Sequence, residues 1–592
     1  MNFIIGLINS VNGVLWGAPM ILLMLAAGGY FSVRTGFFQL RRAGHWLRRT
    51  ILSKNSRSAS NGSVSPFQAM SAALAATLGT GNIAGVAAAL AAGGAGAVFW
   101  MWLSAVLGMM TGYAENVLGA YYRRKNPDGG WCGGAMYYIR DGLAEKRFTK
   151  RLAKPLAAVF AGACVLSSFG MGNLAQMNCA AQALNSGFGI PHAVTGVVLA
   201  AAAAFLFFGG KKPRGNSQPT GGGLRQRIAR VTELLVPLMS ALYIAGALFI
   251  LAANFTRIPE MLAVIFRGAF APKAAAGGVS GYMIKQAVSM GFRRGVFSNE
   301  AGLGTSVAAH AGSDVVEPCV HGMWSIFEVF FDTIIMCSMT AFVLLASPCN
   351  AVSRQEAFMN VTLQPQYFRL TEQEGLISSG AELLTVGAGE PQQLRAVTGE
   401  VFTVRISGGE ATCSNVMKLT GTQALDENGR PLFHDEAENV PVIGGVILEE
   451  VTGSELVSLA FSTVFGGAAG KLLSAAVVLF AFSTVIGWSG FGSEAAAYLF
   501  GSRSGVPFRV LFTLCIAAGA VVDLSAAWGA ADLFNGIMAA VNLPVVLCLS
   551  GTVLRLTRNY SARNFRSERV RPELSADPQT QQEQEHRLNK SR

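Results

Sequence analysis

Two stretches carry polar groups where an apolar helix has no use for them. Leu78-Gly79-Thr80-Gly81-Asn82-Ile83-Ala84-Gly85-Val86 sits inside an apolar run from about Ala69 to Ala92, long enough to cross a bilayer, with three glycines, a hydroxyl and an amide near its middle. Backbone N–H and C=O groups find no water in hydrocarbon, so a helix loosens there only where protein or a bound solute satisfies what is freed. The second stretch runs Gly291-Phe292-Arg293-Arg294-Gly295-Val296-Phe297-Ser298-Asn299-Glu300-Ala301-Gly302-Leu303-Gly304-Thr305 and adds a carboxylate. A charged side chain at mid-bilayer costs roughly 2.5–3.5 kcal/mol on insertion scales. Interrupted helices can hold a charged solute at the midplane, and a pair in corresponding positions of two halves points to one binding site.

The elements that must position these stretches are membrane helices. The chain has 592 residues, of which 51% are hydrophobic and 14% charged, and its mean hydropathy is +0.41. Eleven apolar runs qualify as spans of a roughly 30 Å hydrocarbon core: Leu15–Val33, Pro66–Ala92, Val98–Tyr121, Leu156–Leu184, Pro191–Phe208, Val231–Ala253, Tyr282–Gly312, Cys319–Ser347, Ala469–Phe500, Phe508–Trp528 and Ala531–Leu554. The N-terminus lacks a basic n-region, so the first run reads as a retained span and not a cleaved signal peptide. Leaving that span aside, the second and the seventh each open a group of five; five is odd, so the two groups enter the membrane from opposite sides. The fold class expected is an all-α polytopic membrane protein.

Charge orients it. Basic clusters follow span 1 (Arg41, Arg42, Arg48, Arg49), span 3 (Arg123, Arg124, Lys125), span 5 (Lys211, Lys212, Arg214) and span 11 (Arg555, Arg558, Arg563), and Lys146–Lys154 precedes span 4. All fall on one face, which the positive-inside rule makes cytoplasmic. The N-terminus is then outside and the C-terminus inside. The net charge of +12 belongs to these loops, and nucleic acid is not an expected partner; the lipid bilayer is. Nine scattered cysteines show no metal-ligand spacing and read as buried thiols.

The chain divides into 1–65 (first span and basic loop), 66–253 (first group of five), 254–347 (start of the second), 348–451, 452–555 (remainder of the second) and 556–592 (a cytoplasmic tail). Segment 348–451 holds fourteen Asp/Glu against six Lys/Arg, with alternating runs such as Val401-Phe402-Thr403-Val404-Arg405-Ile406 and the turn signal Asp426-Glu427-Asn428-Gly429. It reads as a small β-rich extracytoplasmic insertion, where a Cys349–Cys413 disulfide is permitted. From about Ser575 the Gln/Glu/Asp-rich tail reads as disordered.

The motifs also resemble a known family. Thr77-Leu78-Gly79-Thr80-Gly81-Asn82-Ile83-Ala84-Gly85-Val86-Ala87 and Gly94-Ala95-Gly96-Ala97-Val98-Phe99-Trp100-Met101-Trp102 are similar to the signature of the alanine or glycine:cation symporter family. So are Gly134-Ala135-Met136-Tyr137-Tyr138-Ile139, Arg294–Gly304 and Phe480-Ala481-Phe482-Ser483-Thr484-Val485-Ile486-Gly487-Trp488. The resemblance covers about residues 15–347 and 453–555. It implies a LeuT-type 5+5 inverted repeat preceded by one extra helix, and cation-coupled uptake of alanine or glycine. The chain departs from the family in its outer insertion, in a longer Lys211–Gly222 loop, and in Ser489-Gly490-Phe491-Gly492-Ser493-Glu494 after Trp488.

For an amino acid zwitterion, Thr80, Gly81 and Asn82 are assigned to the carboxylate, where the restarting helix presents N–H groups and a positive dipole end. The ammonium is assigned to carbonyls near Phe297, Ser298 and Gly302 and, by resemblance, to the Gln176 amide; Trp488 closes the side-chain pocket. By the same resemblance, co-transported Na⁺ is assigned to Ser483 and Thr484, with backbone carbonyls near Gly79. Other readings stay open: the glycines suit close helix packing, Ser483 and Thr484 can bond back to their own helix, Gln176 suits interhelical hydrogen bonding, and Trp488 suits an interfacial belt. Glu300 is expected to partner an arginine or backbone amides, and Arg293 and Arg294 to close a cytoplasmic gate or snorkel to the interface. No nucleophile elbow, HExxH or P-loop points to an enzyme. The alternative function is a membrane sensor whose outer segment captures a ligand.

Overall fold

The computed structural model describes residues 10–53 except 14, 64–125, 131–209, 222–270, 278–346 and 467–591 except 523, together with short pieces between 454 and 465 and strands between 366 and 450. The described chain is mostly helical: α1 (Ala18–Arg34), α2 (Pro66–Thr77), α3 (Ala84–Gly93), α4 (Gly96–Tyr121), α5 (Ala135–Ala144), α6 (Lys150–Phe169), α7 (Ala175–Phe188), α8 (His192–Phe208), α9 (Gly222–Ala253) and α10 (Ile258–Phe270). There follow α11 (Gly278–Asn299), α12 (Ser306–Ala311), α13 (Pro318–Val329), α14 (Ser338–Ala346), α15 (Gly467–Phe500), α16 (Gly505–Gly519), α17 (Leu524–Cys548), α18 (Ser550–Phe565) and α19 (Pro578–Ser591). Two short turns of helix, Phe38–Arg41 and Ala43–Arg49, follow α1. Among the described residues six helices are long and apolar enough to cross a membrane, and a seventh span is formed if Pro66–Thr77 and Thr80–Leu90 count as one. Leu22, Leu234, Phe205 and Leu514 are exposed on the helix exteriors, where a bilayer suits them.

Local sequence explains why the first broken span starts and stops where it does. Ser65 and Gln68 form a reciprocal capping box with Pro66 at the first helical position, which satisfies two of the N–H groups a helix start leaves orphaned. α2 ends at Thr77, a 3₁₀ turn covers Thr80–Asn82, and α3 leaves at 61° to α2. The expected span Tyr282–Gly312 is likewise divided: α11 ends at Asn299 and α12 restarts at Ser306. Glu300 there has φ +56°, Gly302 +100° and Gly304 +72°, alternate positive-φ residues that interrupt the helical geometry and cost the non-glycine Glu300 energy. α6 continues into α7 through a π segment, Gly170–Leu174, and α13 into α14 through another, Phe330–Cys337. Each lies against a break, and neither carries a hydropathy signal. Gly96 and Gly268 let α4 and α10 touch backbone to backbone: a Cβ on Gly96 would lie 2.3 Å from the Gly268 carbonyl carbon.

The described strands between Gln366 and Glu450 pair antiparallel in a four-stranded and a five-stranded sheet. Cys349 lies outside the described residues, as does most of the Lys211–Gly222 loop.

The tail expected to be disordered is a correction. Pro578–Ser591 is helical, because local chemistry outweighs its polar composition. Asp577 accepts from the Thr580 amide at 2.9 Å, Gln581 Oε1 accepts from the Leu574 and Ser575 amides at 2.7 and 2.9 Å, and Arg571 pairs with Glu585 at 2.8 Å. These contacts cap the helix and fold the preceding chain against it.

Candidate binding site at the two helix breaks

The two breaks meet in the middle of the bundle. Gly81 faces Ser298 so closely that a Cβ on it would lie 3.6 Å from the Ser298 Cα and 3.9 Å from the Phe297 ring. Thr80, Asn82, Gln176, Ser298, Ser483, Thr484 and Trp488 are all buried around this junction. Gln176, carried by α7 just past the π segment, accepts with its Oε1 from the Thr80 amide at 3.1 Å and the Thr80 hydroxyl at 3.0 Å, while its Nε2 donates to the Met171 carbonyl at 3.2 Å. One side chain thus satisfies the first break and ties it to the π segment. Asn82 Oδ1 accepts from the Gly79 amide at 3.1 Å, and its Nδ2 donates to Ser298 Oγ at 2.9 Å.

That same Nδ2 reaches a residue the sequence did not place. Asp332, in the π segment between α13 and α14, lies 2.8 Å from Asn82 Nδ2, and its other oxygen accepts from Ser298 Oγ at 2.7 Å and Thr333 Oγ1 at 2.9 Å. A carboxylate in an apolar run was its only signal; the π turn is what aims it at the breaks.

Glu300 partners neither an arginine nor backbone amides in these contacts. Its Oε1 accepts from the Trp488 indole at 3.0 Å and its Oε2 from the Thr305 hydroxyl at 2.5 Å. The acid beside the Gly302 and Gly304 amides of the second break is Glu115; it accepts from Asn542, which donates to the Gly302 carbonyl at 2.9 Å as well. The Gly302 carbonyl therefore faces α17, and its positive φ turns the chain at the break. Trp488 is fully buried against the first π segment, where a Cβ on Gly172 would fall 2.4 Å from its own Cβ. It is not at an interface. Arg293 pairs with Asp532 of α17, and Arg225 of α9 pairs with Glu494 of α15.

On the other side of the first break is a set of oxygens. Ser483 Oγ donates to the Phe480 carbonyl at 2.8 Å and reaches the Ala75 carbonyl at 3.4 Å; Thr484 Oγ1 lies 3.1 Å from the Phe480 carbonyl and 3.4 Å from that of Leu78. Both hydroxyls do bond back to their own helix, and both also face α2. The break explains this, since the last carbonyls of a helix have no intrahelical donor. Gly79 is required here: a Cβ on it would stand 2.5 Å from Thr484 Oγ1 and 3.0 Å from Gln176 Oε1.

A family model described as the sodium:alanine symporter family matches residues 1–371 and 439–574. The chain belongs to the sodium:alanine symporter family. Its membership covers both breaks, both π segments and the α15 hydroxyls, and leaves 372–438 unmatched, inside the expected insertion. The chain is 32% identical over 561 residues to the sodium/alanine symporter AgcS of Methanococcus maripaludis, covering 95% of this chain and 98% of that one. It is 29% identical over 556 residues to the probable sodium/glutamine symporter GlnT of Bacillus subtilis, covering 94% and 90%. It is 28% identical to the amino-acid carrier protein AlsT of the same organism, covering 95% and 93%. Membership in this family makes the chain a multi-pass membrane transport protein that couples an amino acid to Na⁺.

Proposed function

We propose that the protein imports small neutral amino acids, alanine and glycine, together with Na⁺ across the cytoplasmic membrane by alternating access. The observation that carries this reading is the five-oxygen set of Ala75 O, Leu78 O, Phe480 O, Ser483 Oγ and Thr484 Oγ1. Na⁺ is a hard cation that trades its hydration shell for carbonyl and hydroxyl oxygens. Three of these are carbonyls and two are hydroxyls whose protons can turn away, so all five can accept a cation's charge together. The substrate carboxylate is assigned to Thr80, Gly81 and Asn82, the ammonium to Gln176 and the backbone near Phe297 and Ser298, and the side chain to the wall at Trp488. Held on opposite sides of one broken helix, ion and substrate couple by attraction and by stabilising one conformation of the break; linked sites typically couple by about 1–3 kcal/mol.

Asp332 is assigned a second charge-balancing role. Its carboxylate, with Ser298 Oγ and Thr333 Oγ1, offers a cation or a proton a seat on the substrate side of Asn82. The wider architecture proposed is eleven spans: α1, then residues 66–253 and then residues 254–347 with 452–555 as inverted repeats, with the N-terminus outside, the C-terminus inside and the 348–451 insertion outside. The broken spans occupying corresponding places in the two groups, and the basic loops sharing one face, support it.

The test is uptake of labelled alanine into proteoliposomes with and without an inward Na⁺ gradient, across a panel of amino acids. Gradient-dependent uptake competed by glycine is expected. Equal uptake under both conditions removes sodium coupling, and saturable binding without flux favours the sensor reading.

A further inference from the structure

We infer that helix α19 is a latch that holds the basic face of the bundle closed and thereby limits the rate of transport. The inference rests on the alternating-access reading above, and it starts from a node where the ends of the two broken helices are tied together. Val64, two residues before α2, pairs with Ser313, two residues after α12, as a parallel bridge, and the Asp314 amide donates to the Val64 carbonyl at 3.1 Å. Opening the site toward this face requires these two helix ends to part.

The loop that carries the node is gripped from one side by the body. Arg123, buried under the Trp131 ring at 3.9 Å, donates to the Ser313 carbonyl at 2.8 Å and to the Val315 carbonyl at 2.6 Å. From the other side it is gripped by the C-terminal chain at both of its ends. Arg563 of α18 makes a two-pronged pair with Glu317 at 2.6 and 2.9 Å, and Arg587 of α19 donates to Asp314 at 2.5 Å. The α18 grip is buried, with 4% and 11% of the two side chains exposed, whereas Arg587 is 39% exposed. The inner grip is therefore fixed and the outer one is detachable.

The rim of the α19 seat has the character of a reversible contact. Lys125 pairs with Glu583, and the Ala576 amide donates to the Tyr121 carbonyl at 3.0 Å. Between this segment and the end of α4 a cavity of about 730 Å³ remains, flanked by Arg124, Asp141, Asp577 and Glu583. Leu574, Thr580 and Gln584 are buried in this seat, but the ion pairs at its rim, Lys125–Glu583 and Arg587–Asp314, are partly exposed beside the polar cavity, and pairs of that kind are weak and screened by salt. A contact made only when Val64 and Asp314 are together adds its free energy to the closed state alone, so docking shifts the population toward closure.

The test uses the full chain in proteoliposomes. Arg587→Glu is expected to raise the initial rate of Na⁺-driven alanine uptake about threefold, the size expected from losing one exposed ion pair. Arg587→Glu combined with Asp314→Arg should return it toward the wild-type rate. In an Asp314→Cys, Arg587→Cys variant, a bis-methanethiosulfonate cross-linker, which forms a disulfide with each cysteine and releases methanesulfinate, should cut uptake about tenfold if opening is prevented most of the time, and dithiothreitol should restore it, with wild type under the same reagent as control. An unchanged or lower rate in a folded Arg587→Glu variant, or full transport in the cross-linked one, overturns the latch. If the wild type shows no Na⁺-driven uptake, the functional reading fails and the latch is judged by hydrogen exchange. Faster exchange of the backbone around Val64 in Arg587→Glu then supports it, and identical exchange overturns it.

Discussion

Four side chains at the breaks each answer for a different part of the chemistry. Thr484→Ala removes one of five oxygens facing the proposed ion and leaves the substrate side intact, so the apparent Na⁺ constant should rise about tenfold, equivalent to about 1.4 kcal/mol, in uptake measured against Na⁺ concentration. Asn82→Ala and Gln176→Ala leave buried partners without their hydrogen bonds, and each should raise the apparent substrate constant about tenfold. Unchanged kinetics in all three would mean that the site lies elsewhere. Trp488→Phe keeps most of the ring but leaves Glu300 Oε1 without the indole donor seen at 3.0 Å. An unpaired buried acceptor costs about 1–3 kcal/mol, so this variant should lose thermal stability in detergent, and Trp488→His, which can donate, should recover part of it.

At the scale of elements, the breaks work because π segments stand opposite them. Gly170–Leu174 sets Gln176 onto Thr80, and Phe330–Cys337 sets Asp332 onto Asn82. Gly172→Ala tests the first: its Cβ would meet Trp488 Cβ at 2.4 Å, and overpacking of this kind costs about 1–3 kcal/mol, read as a lowered melting temperature. A second element-level contact is pH-sensitive. His45, in the turn Ala43–Arg49 outside the spans, sits 3.0 Å from the Tyr560 hydroxyl. Burial, then Arg49, Arg42 and Arg48, lower its pKa from 6.5 to about 4. Because the folded value lies below the unfolded one, the unfolded state binds more protons between them. The contact should therefore weaken as pH falls from about 6.5 to about 4 and change little below, measured by hydrogen exchange of Ala43–Arg49.

Across the whole molecule, the site is assembled from elements far apart in the chain: residues 75–82, 176, 298–305, 332 and 480–488. Ion pairs lie away from it, Arg293–Asp532 between α11 and α17, and Arg225–Glu494 between α9 and α15, the latter beside the α2 and α12 ends. The family model matches on both sides of 372–438 and not within it. Replacing 372–438 by a short Gly/Ser linker should therefore leave Na⁺-driven uptake within about twofold of wild type, a difference on the order of 0.4 kcal/mol; loss of uptake with the bundle still folded would make the insertion part of the transport cycle.

The sequence by itself determined that this is a polytopic helical protein and that two of its helices are interrupted; only the family resemblance set Ser483 and Thr484 beside the first interruption. Hydropathy and glycine placement act locally, so they are legible residue by residue. What only the tertiary structure decided is which partner satisfies each polar group. Glu300 is held by Trp488 and Thr305, Glu115 takes Asn542 beside the second break, and Asp332 joins Asn82 and Ser298. Apart from Glu300–Thr305, five residues apart, these pairings have no sequence spacing, because each crosses between helices, and Asp332 is aimed by a π turn that shifts side-chain direction without changing hydropathy. The tail is the converse case: its composition reads as unable to form a core, and it needs none, because caps and ion pairs seat it on a surface that the bundle had already built.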